Sequence, residues 1–331
     1  MTAQETGAGR TAGGSPGGIA VRNLSKRYGQ AIVVDNVSFD VPRGSVTGFF
    51  GPNGSGKTTT MRIMLGLAQA SAGMTLFDGW PLARIPNAAR SVGAVLDAST
   101  LNSGRTVRQT MQLVCLGVGL AQSRGGEMIN TVGLAKAERQ RVGRLSLGMR
   151  QRLALACAVV PDPDYLLLDE PMNGLDPEGI DWLRAMLLAL ARAGKGVLVS
   201  THLISEIADM ADHVVVINRG RVVAAQDKRT LLDSGGRQTI VRSANDRGLE
   251  EALSAQGIVV KPEGEALRCD CEPEVVCQVA FDEGIMLREL RPVESSLREF
   301  VLGHTRGEFR AQPRLTPPDS VPEPEAGGGR G

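Results

Sequence analysis

The chain has 331 residues, about twice the roughly 150 of an average domain, and its 42% hydrophobic and 22% charged content excludes a wholly disordered protein. Thirty-seven Lys and Arg against 36 Asp and Glu leave a formal net charge of +1, so no global field draws it to nucleic acid or anionic lipid. No uncharged stretch exceeds 15 residues, short of the 18 or so that a membrane-spanning helix needs, and residues 1–18 lack the apolar segment of a signal peptide. The expectation is a cytosolic chain.

Residues 1–18 carry six Gly and one Pro with little to bury, which reads as an unstructured tail. A short apolar run, Ser45 to Phe50, then leads into Gly51-Pro52-Asn53-Gly54-Ser55-Gly56-Lys57-Thr58, a match to the phosphate-loop pattern G-x4-G-K-[ST]. The glycines let consecutive N–H groups turn inward on phosphate oxygens. After Lys57, the residues Met61, Met64, Leu65 and Ala68 fall at i, i+3, i+4 and i+7 and predict a helix whose N-terminal end adds positive potential. Lys57 supplies a point charge to the β- and γ-phosphates and Thr58 a hydroxyl ligand for Mg²⁺. A Gly-rich turn alone accounts for neither the lysine nor the placement after an apolar strand.

Tyr165-Leu166-Leu167-Leu168-Asp169-Glu170-Pro171 is a second apolar run, ending in adjacent carboxylates. Alternation along a buried strand sends Asp169 and Glu170 to opposite sides. Asp169 suits holding Mg²⁺ through water, and Glu170 suits orienting and deprotonating the attacking water. Val197 to Ser200 is a third run, and Val214–Ile217 with Val222–Ala225 flank Asn218-Arg219-Gly220-Arg221 as a hairpin. Strand, loop and helix repeated in this way predict an α/β fold with a largely parallel sheet.

Ser234-Gly235-Gly236 divides a large unit, 19–234, from a small one, 237–304. The small unit orders as β-α-β-β-α-β, an α+β pattern of ferredoxin-like type. Its 8 basic and 13 acidic residues sum to −5, which argues against nucleic-acid contact and for partner contact or dimer support. Cys269, Cys271 and Cys277 match no zinc or redox spacing and read as plain thiols in a reducing compartment. Residues 305–331, with five Gly and five Pro, read as a second unstructured tail.

Leu145-Ser146-Leu147-Gly148-Met149-Arg150-Gln151-Arg152 resembles the signature motif of the ATP-binding cassette (ABC) of ABC transporters, usually LSGGQ, with Leu147 and Met149 departing at its third and fifth positions. The resemblance spans about residues 19–234 and implies a P-loop NTPase fold with a helical signature subdomain, about 99–160. It implies ATP and Mg²⁺ as cofactors, held by Gly51 through Thr58 with Thr59. Ser146, Gly148 and Met149 would meet the nucleotide of a second cassette, and Asp176, in Asn173-Gly174-Leu175-Asp176, would touch the opposite protomer. Tyr28 resembles the aromatic that stacks on adenine, and His202 the switch histidine that meets the γ-phosphate. Asp97, in Ser91 to Ala98, stands where the family carries a glutamine, and is expected to act in catalysis and close to the metal.

Asp97, SLGMRQR and NGLDPEGI resemble bacterial ABC-2-type drug-export ATPases. The implied protein dimerises, with itself or a sister cassette, around two Mg-ATP. It would drive a separate membrane permease from the inner face of the membrane, exporting a drug-like or hydrophobic substrate. A soluble ABC protein acting on ribosomes or nucleic acid would carry two cassettes or a long coiled coil, and a P-loop kinase or GTPase would lack the signature segment and His202.

Overall fold

The fold is that of a computed structural model, described over residues 17–230 and 238–293. The expected break at Ser234-Gly235-Gly236, most of the first tail, and everything after Val293 lie outside the described residues.

The chain opens with β1 (Gly18–Tyr28) and β2 (Ala31–Pro42), passes through β3 (Ser45–Phe50) and α1 (Lys57–Met64), and returns as β4 (Ala72–Phe77). Three of these strands form an antiparallel sheet in the order β2-β1-β4. Its apolar-run signal is weak, because register shifts between Val21 and Leu24 and between Leu24 and Lys26 interrupt the two-residue alternation. α1 stops at Met64, short of the expected face through Ala68, because the chain reverses at Gly66, whose φ is 70°.

After α2 (Ala88–Ser91) and β5 (Val92–Val95) come the helices α3 (Val107–Gly117), α4 (Gln122–Thr131) and α5 (Leu147–Val159). Thr106 and Gln109 start α3 with a capping box, and Ser146 caps α5 by accepting the Met149 N–H. Val107, Met111, Cys115, Ile129, Leu153 and Ala156 pack into one cluster, which gives this helical segment a core of its own. Along α5 and its C-cap, Leu153, Ala156 and Val160 are fully buried and Cys157 partly.

β6 (Tyr165–Asp169), α6 (Pro177–Arg192), β7 (Gly196–Thr201), α7 (Ile204–Ile207), β8 (His213–Asn218) and β9 (Arg221–Asp227) complete a six-stranded sheet ordered β5-β6-β7-β3-β8-β9. All its pairs are parallel except β8 with β9, the expected hairpin. Its inner strands β3, β6, β7 and β8 are buried on both faces, so they read as continuous apolar runs. Alternation then sorts the side chains. Leu166, Leu168, Val197, Val199, Val214 and Val216 join α5, α6 and α7 in one cluster. Tyr165, Leu167, Leu198, Val215 and Ile217 join α1 and the antiparallel sheet in another.

Residues 238–293 hold β10 (Gln238–Ser243), α8 (Asp246–Ala255), β11 (Val260–Glu263), β12 (Ala266–Cys269), α9 (Pro273–Asp282) and β13 (Leu287–Val293). The order β11-β12-β10-β13, antiparallel throughout, is the ferredoxin-like arrangement. Val241, Leu249, Leu253, Leu267, Val276 and Val279 form its separate core. All five cysteines of the chain are free, and burial pushes the Cys269 thiol up to about 12.

Candidate active site

Pairing in register decides where the loops meet. Phe50 lies beside Thr201, Leu168 beside Val199 and Asp169 beside Ser200, so β3, β6 and β7 end together and their loops share one edge of the sheet. Gly56 sits there at φ 105°, and the carbonyl of Val33 on β2 lies where any Cβ would project, so only glycine fits. Val33, Asn53, Gly54, Gly56, Lys57, Thr58, Thr59 and Glu170 line a cleft of about 190 Å³.

By alternation Asp169 falls on the face of Tyr165 and Leu167, which is the face that carries α1. Its Oδ2 accepts from Thr58 Oγ1 at 2.5 Å, and its Oδ1 accepts from Ser200 Oγ. Strict alternation would send Glu170 to the other face. Instead Glu170 leaves β6 with φ 47°, a left-handed conformation costly for a non-glycine residue, and its carboxylate turns to the same cleft. This corrects the expected placement on opposite sides.

Glu170 Oε2 is 2.8 Å from His202 Nδ1, and Oε1 is 3.5 Å from Lys57 Nζ with no hydrogen bond of its own. Lys57 is only 6% exposed, and its ammonium donates to Gly51 O at 2.6 Å and Pro52 O at 3.3 Å. Ser55 Oγ is buried without a hydrogen-bond partner. A buried ammonium, an orphaned hydroxyl and an orphaned carboxylate oxygen around a Gly-rich turn are the groups that a polyphosphate with its cation would satisfy. Thr58 and Asp169 offer two hard oxygens side by side. Among the described residues no cluster of three or more His, Cys, Asp or Glu could hold a metal, so the donor set fits Mg²⁺ carried largely by phosphate.

A second cluster forms around the start of α5. Gly174, at φ 79°, lies under the Leu147 side chain, and Gly148 packs against the Gly174 carbonyl. Asp176 caps α6 by accepting the Gly179 N–H at 3.1 Å and lies 3.4 Å from Arg152 Nη2. Met149, standing where the usual motif has glutamine, is partly buried and packs against the core of the helical segment. None of Ser146, Gly148, Met149 or Asp176 lines the phosphate cleft of its own chain. Tyr28, 53% exposed at the end of β1, is also outside it, with Lys26 Nζ 4.7 Å from its ring centre. Asp97 is exposed, its carboxylate capping its own turn through the Ser99 N–H at 2.7 Å.

The ABC transporter family model matches residues 34–173. The lantibiotic transport ATP-binding protein of Streptococcus pyogenes is 33% identical over 63% of this chain and 90% of its own length. The chain belongs to the ABC transporter ATP-binding proteins. It is an ATP-binding ATPase whose hydrolysis is coupled to transport. A Nod factor export ATP-binding protein of Burkholderia orbicola is 37% identical over 77% of this ABC ATPase and 87% of that protein. The bacitracin transport ATP-binding protein of Enterococcus faecalis is also 37% identical, over 62% and 68%. Among solved structures, an ATP-binding subunit of an ABC transporter superposes with a TM-score of 0.61 at 27% identity, over 65% of this chain and 92% of that one.

The structure of the ABC ATPase adds one residue that sequence reasoning passes over. Ser200 ends an apolar run and looks like its boundary, and only the register of β6 against β7 places its hydroxyl beside Asp169.

Proposed function

We propose that this ABC ATPase powers export, closing with a second cassette around two Mg-ATP to drive a separate membrane permease from the cytoplasmic side. The observation that carries this reading is the set of contacts at one cleft: Lys57, Thr58 and Glu170 line it, Asp169 accepts from Thr58, and His202 meets Glu170. The export direction, and a drug-like or hydrophobic cargo, rest on relatives named for lantibiotic, bacitracin and Nod factor transport. Among the described residues no helix is long and apolar enough to cross a membrane, in keeping with a separate permease. The second partner of the dimer is either a copy of this chain or a sister cassette.

In this reading the loop from Gly51 to Thr59 wraps the β- and γ-phosphates, with the backbone N–H groups from Asn53 to Thr59 and the Lys57 ammonium as donors. Thr58 and Asp169 hold Mg²⁺, which when bound neutralises phosphate charge. Glu170 orients and deprotonates the attacking water, and His202, in contact with it, fixes its carboxylate and meets the γ-phosphate. Tyr28 stacks on adenine, while Ser146, Gly148, Met149 and Asp176 face the nucleotide bound by the partner. Asp97 stands near the metal. Action on ribosomes or nucleic acid has no supporting feature, since the small unit is acidic.

Glu170→Gln tests this. The amide keeps the shape but accepts no proton, so ATP binding should persist while hydrolysis slows by about 10²–10⁴. Size-exclusion chromatography with Mg-ATP should then show a trapped dimer. Near-normal turnover removes Glu170 from the base role, and a monomer at saturating Mg-ATP removes the shared site.

A further inference from the structure

We infer that Ser200 is a positioning residue for hydrolysis, one hydroxyl that sets the geometry of both acidic residues at the end of β6. The inference rests on the hydrolytic reading of the cleft. Ser200 is fully buried and lies beside Asp169 across the parallel ladder. Its Oγ donates to Asp169 Oδ1 and accepts from the Glu170 N–H at 3.1 Å. A hydroxyl has one proton and two lone pairs, so it can serve a carboxylate and an N–H together. The preceding residues of β7, Val197 to Val199, offer no such group.

The two contacts do different work. Thr58 takes Oδ2 of Asp169 and Ser200 takes Oδ1, so the carboxylate is held from both sides with Oδ2 turned to the phosphate loop. Asp169 is only 9% exposed, and losing the hydroxyl would leave Oδ1 in a buried place without a donor. The carboxylate would then rotate away from Thr58, and the cation would lose a preset ligand. The second contact lies at the one step where the backbone breaks strand geometry. The Glu170 N–H is bracketed by Ser200 Oγ and by Ser200 O, each at 3.1 Å. That pair of acceptors steadies the left-handed residue whose side chain meets His202. A buried hydroxyl in this sheet does not acquire such partners by default: Thr47 Oγ1, on the neighbouring β3, is buried with none.

The full chain carrying Ser200→Ala, Ser200→Cys or Ser200→Thr provides the test. Mn²⁺ binding is read by electron paramagnetic resonance with a non-hydrolysable ATP analogue, and analogue binding is read separately without metal. In Ser200→Ala and Ser200→Cys, half-saturating Mn²⁺ should rise about tenfold or more and kcat should fall by a similar factor, with metal-free affinity held within about twofold. Ser200→Thr, which keeps the hydroxyl, should restore both. The size-matched cysteine carries the test if the alanine chain fails to fold. Wild-type Mn²⁺ saturation and kcat in Ser200→Cys overturn the inference alone, as does a loss that Ser200→Thr shares. A wild-type chain that binds no analogue with Mn²⁺ overturns the hydrolytic reading, and this inference with it.

Discussion

At Asp97 a carboxylate has two claims on it. Hydrogen bonds from the Ser99 side chain and backbone hold it below the usual carboxylate range, with Arg62 of α1 adding its charge, so it is ionised at neutral pH. Unlike the amide that the family carries here, it can ligate a cation but repels phosphate and donates no hydrogen bond to water. ATPase activity should therefore depend more steeply on free Mg²⁺ in the wild type than in Asp97→Asn. Asparagine keeps an oxygen for the Ser99 N–H and removes only the charge. Turnover measured against free Mg²⁺ decides the matter, and superimposable curves would leave Asp97 as the cap of its own turn. Glu170 illustrates the same scale differently: its role follows from a single φ of 47°, which re-aims one side chain.

β6 does separate work at its two ends. Asp169 closes the strand at the phosphate cleft, while Tyr165 opens it at the far side, its hydroxyl donating to Asp78 Oδ1 at 2.5 Å. Arg43 also reaches Asp78, at 2.6 Å, and Asp164, at 3.2 Å, so the turn after β4, the entry to β3 and the entry to β6 are tied together. Burial, with the Asp78 carboxylate beside it, pushes the Tyr165 phenol above its ordinary value. The folded state thus holds this proton more tightly than the unfolded chain does. The contribution is complete below pH of about 10, the unfolded value, and is lost as pH climbs from there. Tyr165→Phe should cost about 1–2 kcal/mol near neutral pH, the low end for a bond to a charged acceptor because the Asp78 side chain is 38% exposed. It should also flatten the fall in stability above pH 10 or so. Urea unfolding at pH 8 and pH 10.5 measures both, and parallel curves for the two chains would count against the tie.

At the scale of the whole molecule, the cores are separate by membership. Among the described residues, the cluster around Val241 and Leu249 draws only on residues 241–290, and the three clusters of the cassette draw on none of these. The phosphate cleft likewise takes all its residues from the cassette. We propose that residues 237–304 are dispensable for nucleotide binding and add to dimer or partner affinity. A chain ending at Ser234 should bind an ATP analogue with an affinity within about threefold of the full chain, since no phosphate-facing group is removed. Calorimetric titration checks this, and a large loss in folded, soluble protein would show that the small unit supports the site.

The linear sequence determined the chemistry and much of the framework. Gly51 to Thr58 reads as a phosphate-binding turn because its three glycines, lysine and threonine fall at the spacing such a turn needs, and Tyr165 to Leu168 reads as a doubly buried strand because it is an unbroken apolar run. The β-α-β-β-α-β order of the small unit is likewise written in local periodicity. Tertiary structure decided what depends on distant segments. The antiparallel sheet of β1, β2 and β4 is obscured by register shifts, which break the period by which strands are recognised. The Met149 side chain was free to face either way until the helical core claimed it. Ser200 gained its partners only when β7 paired with β6, 31 positions away from Asp169, because parallel register is fixed by packing on both faces and not by neighbouring residues.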